Sequence, residues 1–239
     1  MRSQLRKFRN KARSTGSLKA DHRIANHLAM LSSYVRLKGI GLKRQDSPLE
    51  FMEVSLLLNA ISAHIQAVSD LQRILTGSGS EDEVQLGDLL DKICTTLRSG
   101  IADDVIFTET YAPDCALKFD HVLPVAQIFT EIVTNALKYG HRAGAVRRIG
   151  IACRKDISGS ILIMVSDNGP GIGSTGTSQT ANGLGTRLVK ALSAQIGSSI
   201  DYSSSEIGVT ATLTLASAGF VFDQTLNEDE SHTSFSRNG

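Results

Sequence analysis

Three stretches of the sequence combine residue types that could hold a flat, charged ligand, and the first is SDNGPGIG (166–173). Asp167 stands where a strand-like run ends, and Gly169 and Gly171 follow it. A carboxylate at a strand end can accept a hydrogen bond, while glycines let the backbone bend closely around a ligand. The alternative is an ordinary hairpin turn, because Asp-Asn-Gly is common turn chemistry.

The second stretch is NGLGTRLVKAL (182–192), in which Gly183, Leu184 and Gly185 open a helical pattern. Free backbone N–H groups at the start of a helix can bind phosphate oxygens. The alternative is a glycine-containing loop that enters a helix without binding anything. The small residues just before it, GSTGTSQTA (173–181), could form a lid over a ligand or an inert loop.

The third stretch is TEIVTNALKYG (130–140), which reads as a helix. Glu131, Asn135 and Lys138 are spaced i, i+4 and i+7, so they share one helix face. An amide oxygen is a hard ligand suited to Mg²⁺, and an ammonium group can meet phosphate charge. The alternative is a solvated polar face of an ordinary helix.

A fourth stretch, ADHRIANHLAML (20–31), places His22 beside Arg23 on an amphipathic pattern. A neutral imidazole is a competent nucleophile towards an electrophilic phosphorus. These twelve residues alone leave open whether His22 is a phosphoryl acceptor or a surface histidine. For His27 and His64 we expect packing or surface roles.

Composition narrows the class of protein. The chain has 239 residues, 41% of them apolar, and a formal charge of +1, which suits one large domain or two small ones and gives no overall argument for nucleic-acid binding. No secretory signal and no apolar run of about 18 residues is evident. Three widely spaced cysteines without a CxxC pair indicate buried free thiols. We therefore expect a cytoplasmic protein with neither a membrane nor a nucleic-acid partner.

Two amphipathic segments precede a serine- and glycine-rich linker. The first, 21–37, repeats apolar residues on one helix face, and KGIGLKRQDSPLE (38–50) then breaks the pattern. The second, 49–76, carries a heptad stripe formed by Val54, Leu57, Ile61, His64, Val68, Leu71 and Leu75. A helical hairpin has too little core alone, so we expect a homodimer in which two hairpins form a four-helix bundle.

After the linker the pattern mixes helices with strands rich in Val, Ile and Thr. The expected helices are LGDLLDKICTTLRSG, LPVAQIFTEIVTNALKYGH and GLGTRLVKALSAQIG, and the expected strands are VIFTETY, IGIAC, ILIMVSD and TATLTLA. We therefore predict an α+β protein, a two-helix dimerisation hairpin followed by an α/β sandwich. The predicted parts are a basic tail (1–20), the hairpin (21–78), the sandwich (84–217) and a disordered tail (218–239).

Taken in order, the E-x-x-x-N helix, the D-x-G-x-G turn and the G-x-G helix start resemble the Bergerat (GHKL) ATP-binding fold of histidine kinases and related ATPases. The resemblance implies ATP and Mg²⁺ as cofactors, with Asn135 holding Mg²⁺ and Glu131 nearby. It implies that Asp167 accepts from the adenine amino group. It further implies that Gly169 and Gly171 shape the base pocket, and that the glycines of 183–185 cradle the phosphates.

The segment DHRIANHLAMLSSYVRLKG resembles the phosphoacceptor box of the HWE-type histidine kinases and their sister family, and His22, Arg23 and Asn26 match it. The resemblance implies that His22 is the acceptor. The sister family fits better, because Thr130 replaces the expected His before Glu131 and the chain has no Trp. Both families usually carry Glu three residues before the acceptor. Lys19 stands there, so Asp21 is the candidate replacement.

The function implied is an ATP-dependent protein-histidine kinase that phosphorylates itself on His22 and passes the phosphoryl group to an aspartate of a response regulator receiver domain. Arg23 would steady the phosphoryl group, and a separate sensor protein could supply the input. One alternative is a histidine phosphotransferase that relays phosphate through His22 without using ATP. Another is a GHKL ATPase or serine-kinase-like protein that switches a partner.

Overall fold

The computed structural model describes residues 25–43, 49–76, 83–99, 101, 105–171 and 184–216. His22, Arg23, Gly183, both predicted tails and the predicted lid lie outside these residues. The elements are α1 (25–43), α2 (Phe51–Thr76), β1 (Glu83–Gln85), α3 (Leu86–Arg98), β2 (Val105–Tyr111), β3 (Ala116–Lys118), α4 (Phe119–Tyr139), β4 (Arg147–Lys155), β5 (Ile161–Asp167), α5 (Leu184–Gln195), β6 (Ser198–Ser205) and β7 (Gly208–Leu215).

Five strands form the main sheet in the order β2-β4-β5-β7-β6. The pair β2 and β4 is parallel, and the other neighbours are antiparallel. Strands β4, β5 and β7 bury alternate residues, so one face of the sheet lies against a core. Strands β1 and β3 form a separate antiparallel pair. The mixed helix and sheet architecture confirms the predicted α+β class.

Helix α4 forms the centre of the helical layer. It contacts α3, α5 and β5, and sixteen of its 21 residues are buried. The sequence pattern predicts that this helix begins at Leu123, but α4 begins four residues earlier, at Phe119. The earlier start brings Phe119 and Val122 into the core, and their burial stabilises the first turn. The helix ends at Tyr139, followed by Gly140.

The predicted break after residue 37 is wrong, because α1 is helical as far as residue 43. The predicted break rests on the glycines and the proline of 38–50, and glycine costs roughly 1 kcal/mol in a helix interior. Tertiary contacts offset that cost: the Lys38 ammonium pairs with a carboxylate of α4, and Leu42 lines a cavity with α4 residues.

The predicted heptad stripe on α2 is only partly correct. His64, Val68 and Leu71 are buried, but Val54 is exposed. A second set of α2 residues is buried instead, namely Leu56, Ala60, Ala63 and Ala67. The reason is that α2 packs against α3 and α4, and small alanines allow this close approach. One face of α2 therefore packs against the helical layer of α3 and α4, and the sequence pattern did not predict this contact.

Strand β6 was not predicted, because its sequence SSIDYSSS is rich in serine. It lies at the sheet edge and pairs with β7 over its whole length. Backbone pairing with an apolar neighbour thus outweighs weak strand propensity. The three cysteines are buried and free, as expected.

One described helix segment, Phe51–Leu71, is long and apolar enough to cross a membrane by length and composition, with a mean hydropathy of 1.3. This differs from the expectation that no segment would qualify. About a third of that segment is buried against the rest of the protein. A helix that packs against a core passes the same test, so the segment is weak support for a membrane span.

Candidate active site

One face of α4 supplies the polar residues of the site. Glu131 is buried at 2% exposure, and Asn135 and Lys138 are half-buried. All three line one cavity of about 500 Å³. The three side chains therefore share one face of α4, and that face lines the cavity. Because the surrounding α4 residues are core, the positions of these three side chains are set by a rigid element.

The end of β5 brings Asp167 to the same cavity. Its Oδ1 accepts hydrogen bonds from the backbone N–H of Gly169 at 2.9 Å and of Val209 at 3.2 Å. Burial raises the pKa of the Asp167 carboxyl, and these two hydrogen bonds act in the opposite sense. The carboxylate is thus oriented by the backbone and keeps lone pairs for a donor such as an exocyclic amine.

The glycines around Asp167 are required by close backbone contact. A Cβ on Gly140 would lie 2.4 Å from the Asp167 Cβ, and one on Gly169 would lie 2.7 Å from the Gly140 Cα. Gly171 has a φ of +81°, and a Cβ there would lie 2.1 Å from the Ser205 carbonyl oxygen. The D-x-G-x-G segment is therefore packed directly against the end of α4 and the β6–β7 turn.

The G-x-G helix start contacts the E-x-x-x-N helix at Gly185. A Cβ on Gly185 would lie 1.9 Å from the Glu131 Oε1. The first turn of α5 therefore lies directly on the Glu131 carboxylate, and Gly185 lines the shared cavity. Leu184 is the first residue of α5. The predicted phosphate-binding helix start is consequently close to the predicted cation site.

The donor set at Glu131 and Asn135 suits a hard cation. The Glu131 Oε2 is buried and has no partner in hydrogen-bonding geometry, although it lies 2.6 Å from the Lys38 Nζ. Among the described residues, no cluster of three or more His, Cys, Asp or Glu could hold a metal unaided. Mg²⁺ is commonly bound by one or two protein oxygens together with substrate phosphates, and this sparse set fits that mode.

Several residues of the cavity were not predicted. Tyr34 and Lys38 come from α1 and Glu53 from α2, and all three line the cavity. The Lys38 Nζ donates to the Glu131 Oε1 at 2.9 Å, and the Lys138 Nζ lies 2.8 Å from the Glu53 Oε1. No local sequence signal marks these residues, because each partner is distant along the chain.

Two further groups order the loop that follows β5. The Asn168 side chain accepts from the Arg148 backbone N–H at 2.8 Å and donates to the Val146 carbonyl at 2.9 Å. The Arg142 guanidinium donates to the Gly169 carbonyl at 3.3 Å. These contacts tie the segment after Asp167 to the segment that follows α4.

The structure does not bring Asn26 to the cavity. Asn26 is exposed on the first described turn of α1. Residues 25 and 38 are 13 positions apart, which is about 20 Å along a helix at a rise of 1.5 Å per residue. The described start of α1 therefore lies far from Glu131.

Two family models match the chain. Residues 20–101 match the family described as histidine kinase (HisKA_2), and residues 120–219 match the histidine kinase-, DNA gyrase B- and HSP90-like ATPase family. The Blue-light-activated histidine kinase 1 of Erythrobacter litoralis is 24% identical over 210 residues, covering 87% of this chain. The chain spans 55% of that relative's length.

Solved structures show the same fold. The histidine kinase domain of the Erythrobacter litoralis EL346 blue-light activated histidine kinase is similar with a TM-score of 0.59 at 18% identity, covering 82% of this chain and 91% of that one. A second structure of that kinase gives a TM-score of 0.60 at 18% identity and covers 82% of this chain and 57% of that one. Residues 20–101 thus belong to the histidine kinase family, and residues 120–219 belong to the GHKL ATPase family, in the order that histidine kinases share.

Proposed function

We propose that the chain is an ATP-dependent protein-histidine kinase of a two-component system, which phosphorylates itself on His22 and passes the phosphoryl group to an aspartate of a response regulator receiver domain. The observation that carries this proposal is the convergence of three separate motifs on one cavity. Asn135, Asp167 and Gly185 come from α4, β5 and α5, and all three line it.

Each cavity residue has a role that follows from its chemistry. Asp167 accepts from the adenine amino group, since its carboxylate is held by two backbone N–H groups. Gly169 and Gly171 allow the backbone to approach the base. Lys138 and the start of α5, with Gly183 and Gly185, meet the phosphates. When bound, Mg²⁺ would be held by Asn135 with Glu131 nearby, and it would supply charge neutralisation at the phosphates.

The role of His22 as phosphoryl acceptor is proposed from the sequence alone. The His22 imidazole attacks the γ-phosphorus in line, the bond to the β-phosphate bridging oxygen breaks, and ADP leaves. Arg23 and Asn26 lie on the same segment and steady the phosphoryl group. Asp21 is proposed to orient the imidazole, because Lys19 occupies the position of the usual acid.

The hairpin supports a homodimer. Helix α1 exposes Leu28 and Val35, and α2 exposes Leu58 and Ile65, each pair one heptad apart. Two such faces would bury one another in a four-helix bundle. Family membership also favours a receiver-domain partner docking on this hairpin. We propose a cytoplasmic protein, with parts at 1–20, 21–78, 84–217 and 218–239.

Labelling with γ-labelled ATP and Mg²⁺ tests the proposal. We compare the wild type with His22→Ala and Asn135→Ala, and use His232→Ala as a histidine control outside the hairpin and ATPase segments. The expected result is acid-labile, base-stable label on the wild type and the control alone. Label that persists in His22→Ala would contradict the acceptor assignment. A wild type that binds nucleotide but takes label only from a phosphorylated regulator would be a phosphotransferase.

A further inference from the structure

Two ion pairs cross from the hairpin into the candidate active site. Lys38 of α1 contacts both oxygens of Glu131, and Glu53 of α2 contacts Lys138. Both partners on α4 are residues that the proposed function assigns to the cation and phosphate site. The hairpin therefore engages the very charges that a magnesium nucleotide would need.

Lys38 contacts a buried carboxylate, that of Glu131. The Glu131 side chain is 3% exposed, and the Lys38 side chain is 29% exposed. A buried carboxylate is costly without a compensating cation, and the Lys38 ammonium supplies that charge. It sits at 2.6 and 2.9 Å from the two carboxylate oxygens, so a divalent cation and the ammonium cannot both occupy this position.

The cavity lies at the end of α1 opposite to its first described residue. The cavity is lined by α1 from Tyr34 to Leu42 and by the first turns of α2, which is the end of the hairpin where the two helices connect. Residue 25 lies about 20 Å from Lys38 along α1, and His22 precedes it by three residues. In-line transfer requires contact between the imidazole and the phosphoryl group, and the described start of α1 makes no contact with this cavity.

The hairpin meets the ATPase segment through the buried apolar face of α2, and this contact also buries polar groups. Tyr34 and His64 are each 1% exposed and pack edge to face with ring centroids 4.4 Å apart. The Tyr34 hydroxyl has no hydrogen-bond partner. This buried hydroxyl disfavours the closed arrangement, because separation returns it to water. The ion pairs oppose that tendency.

We propose that Lys38 is an intramolecular cation that competes with the magnesium nucleotide for Glu131, and that the Lys38–Glu131 and Glu53–Lys138 pairs together hold the hairpin closed on the ATP site in a kinase-inactive arrangement. The proposal rests on the proposed function. Binding of the magnesium nucleotide and opening of the hairpin are then linked. Whatever opens the hairpin raises nucleotide affinity, and the nucleotide opens the hairpin.

The test compares the full-length wild type with Lys38→Met and Glu53→Gln. Lys43→Met is the matched control, because Lys43 is an exposed lysine of the same helix that does not line the cavity. The first measurement is equilibrium binding of a fluorescent ATP analogue with Mg²⁺. Allosteric coupling is typically 5- to 150-fold, so Lys38→Met is expected to bind at least about 5-fold more tightly than Lys43→Met. Equal or weaker binding would overturn the proposal.

Hydrogen exchange without nucleotide gives an independent reading. The buried face of α2, residues 56–71, is expected to exchange faster in Lys38→Met and Glu53→Gln than in Lys43→Met. The wild type is expected to reach that rate only when the magnesium nucleotide is added. Unchanged exchange in both variants would overturn the closed arrangement. If no variant binds nucleotide while exchange still responds to Lys38→Met, the proposed function fails and the interdomain contact stands.

Discussion

Helices α4 and α1 both place charged side chains in the same cavity, but the two helices are held in different ways. Sixteen of the 21 residues of α4 are buried, whereas only His27 and Tyr34 are buried among the 19 described residues of α1. The position of α4 is therefore part of the core. The position of α1 depends on a few contacts that can be exchanged for water or ligand. The buried helix α4 carries the site residues, and the mostly exposed helix α1 covers them.

The largest effect that separates the two helices is expected from the core of α4. Phe129 is fully buried, so Phe129→Ala should lower the free energy of unfolding by about 3–5 kcal/mol. The matched change on α1 is Arg36→Ala, which removes an exposed side chain outside the proposed dimer face and should change the free energy of unfolding by no more than about 0.5 kcal/mol. Denaturant unfolding measures both. A comparable loss in the two variants would contradict the contrast between the helices.

A pH effect is expected where the two regions meet. Burial, with Lys38 nearby, lowers the pKa of His64 to about 4, while the Ala126 carbonyl weakly opposes the shift. The folded protein thus favours the neutral imidazole, so stability is retained above the ordinary pKa and is lost as pH falls from about 6.5 towards 4. The maximum loss is about 3 kcal/mol at 1.36 kcal/mol per unit.

His64→Leu removes this titrating group while keeping an apolar side chain. Unfolding free energies of the wild type and His64→Leu, measured between pH 7 and pH 4, should diverge in favour of the variant as pH falls. The difference isolates His64 from the carboxylates that titrate in the same window. Parallel curves for the two proteins would show that His64 is not the source.

Gly185 tests how closely α5 is fitted to α4. Gly185→Ala places a Cβ against the Glu131 carboxylate, so the start of α5 must shift. Overpacking costs typically about 1–3 kcal/mol, and we expect a loss of about 10- to 100-fold in nucleotide affinity by equilibrium binding. Gly39→Ala is the matched control, because a Cβ at Gly39 meets nothing within 4 Å. An unchanged affinity in Gly185→Ala would contradict the close fit.

The smallest effect is expected from that control itself. Gly39 lies within α1, where alanine is favoured over glycine by roughly 0.5–1 kcal/mol. Gly39→Ala should therefore raise thermal stability slightly and leave nucleotide binding unchanged. Thermal unfolding measures the change. A loss of stability would mean that residue 39 is packed more tightly than the described structure indicates.

Much of the site could be predicted because its signals are local. The i, i+4, i+7 spacing of Glu131, Asn135 and Lys138 is readable without tertiary information. The turn chemistry after Asp167 is also local, although the close packing of Gly140 against Gly169 is visible only in the folded structure. The polar face of α4 lines a cavity because separate elements converge on it.

Other features could not be predicted because their causes are not local. Helix α1 continues through Gly39 because its far end packs on the cavity, which outweighs helix propensity. The buried face of α2 includes alanines that a heptad rule passes over, since α3 and α4 select it by close approach. Strand β6 forms through pairing with β7 rather than through its own serine-rich sequence.

The sequence by itself determined the residue types that can bind a nucleotide and the order in which they occur, because helix periodicity, glycine freedom and side-chain chemistry are properties of short segments. Only the tertiary structure decided which charges meet. Lys38 and Glu131 are 93 positions apart, and no local pattern records their contact. Whether the site faces an acceptor or a covering helix is set by the packing of separate elements, and packing is a property of the whole fold.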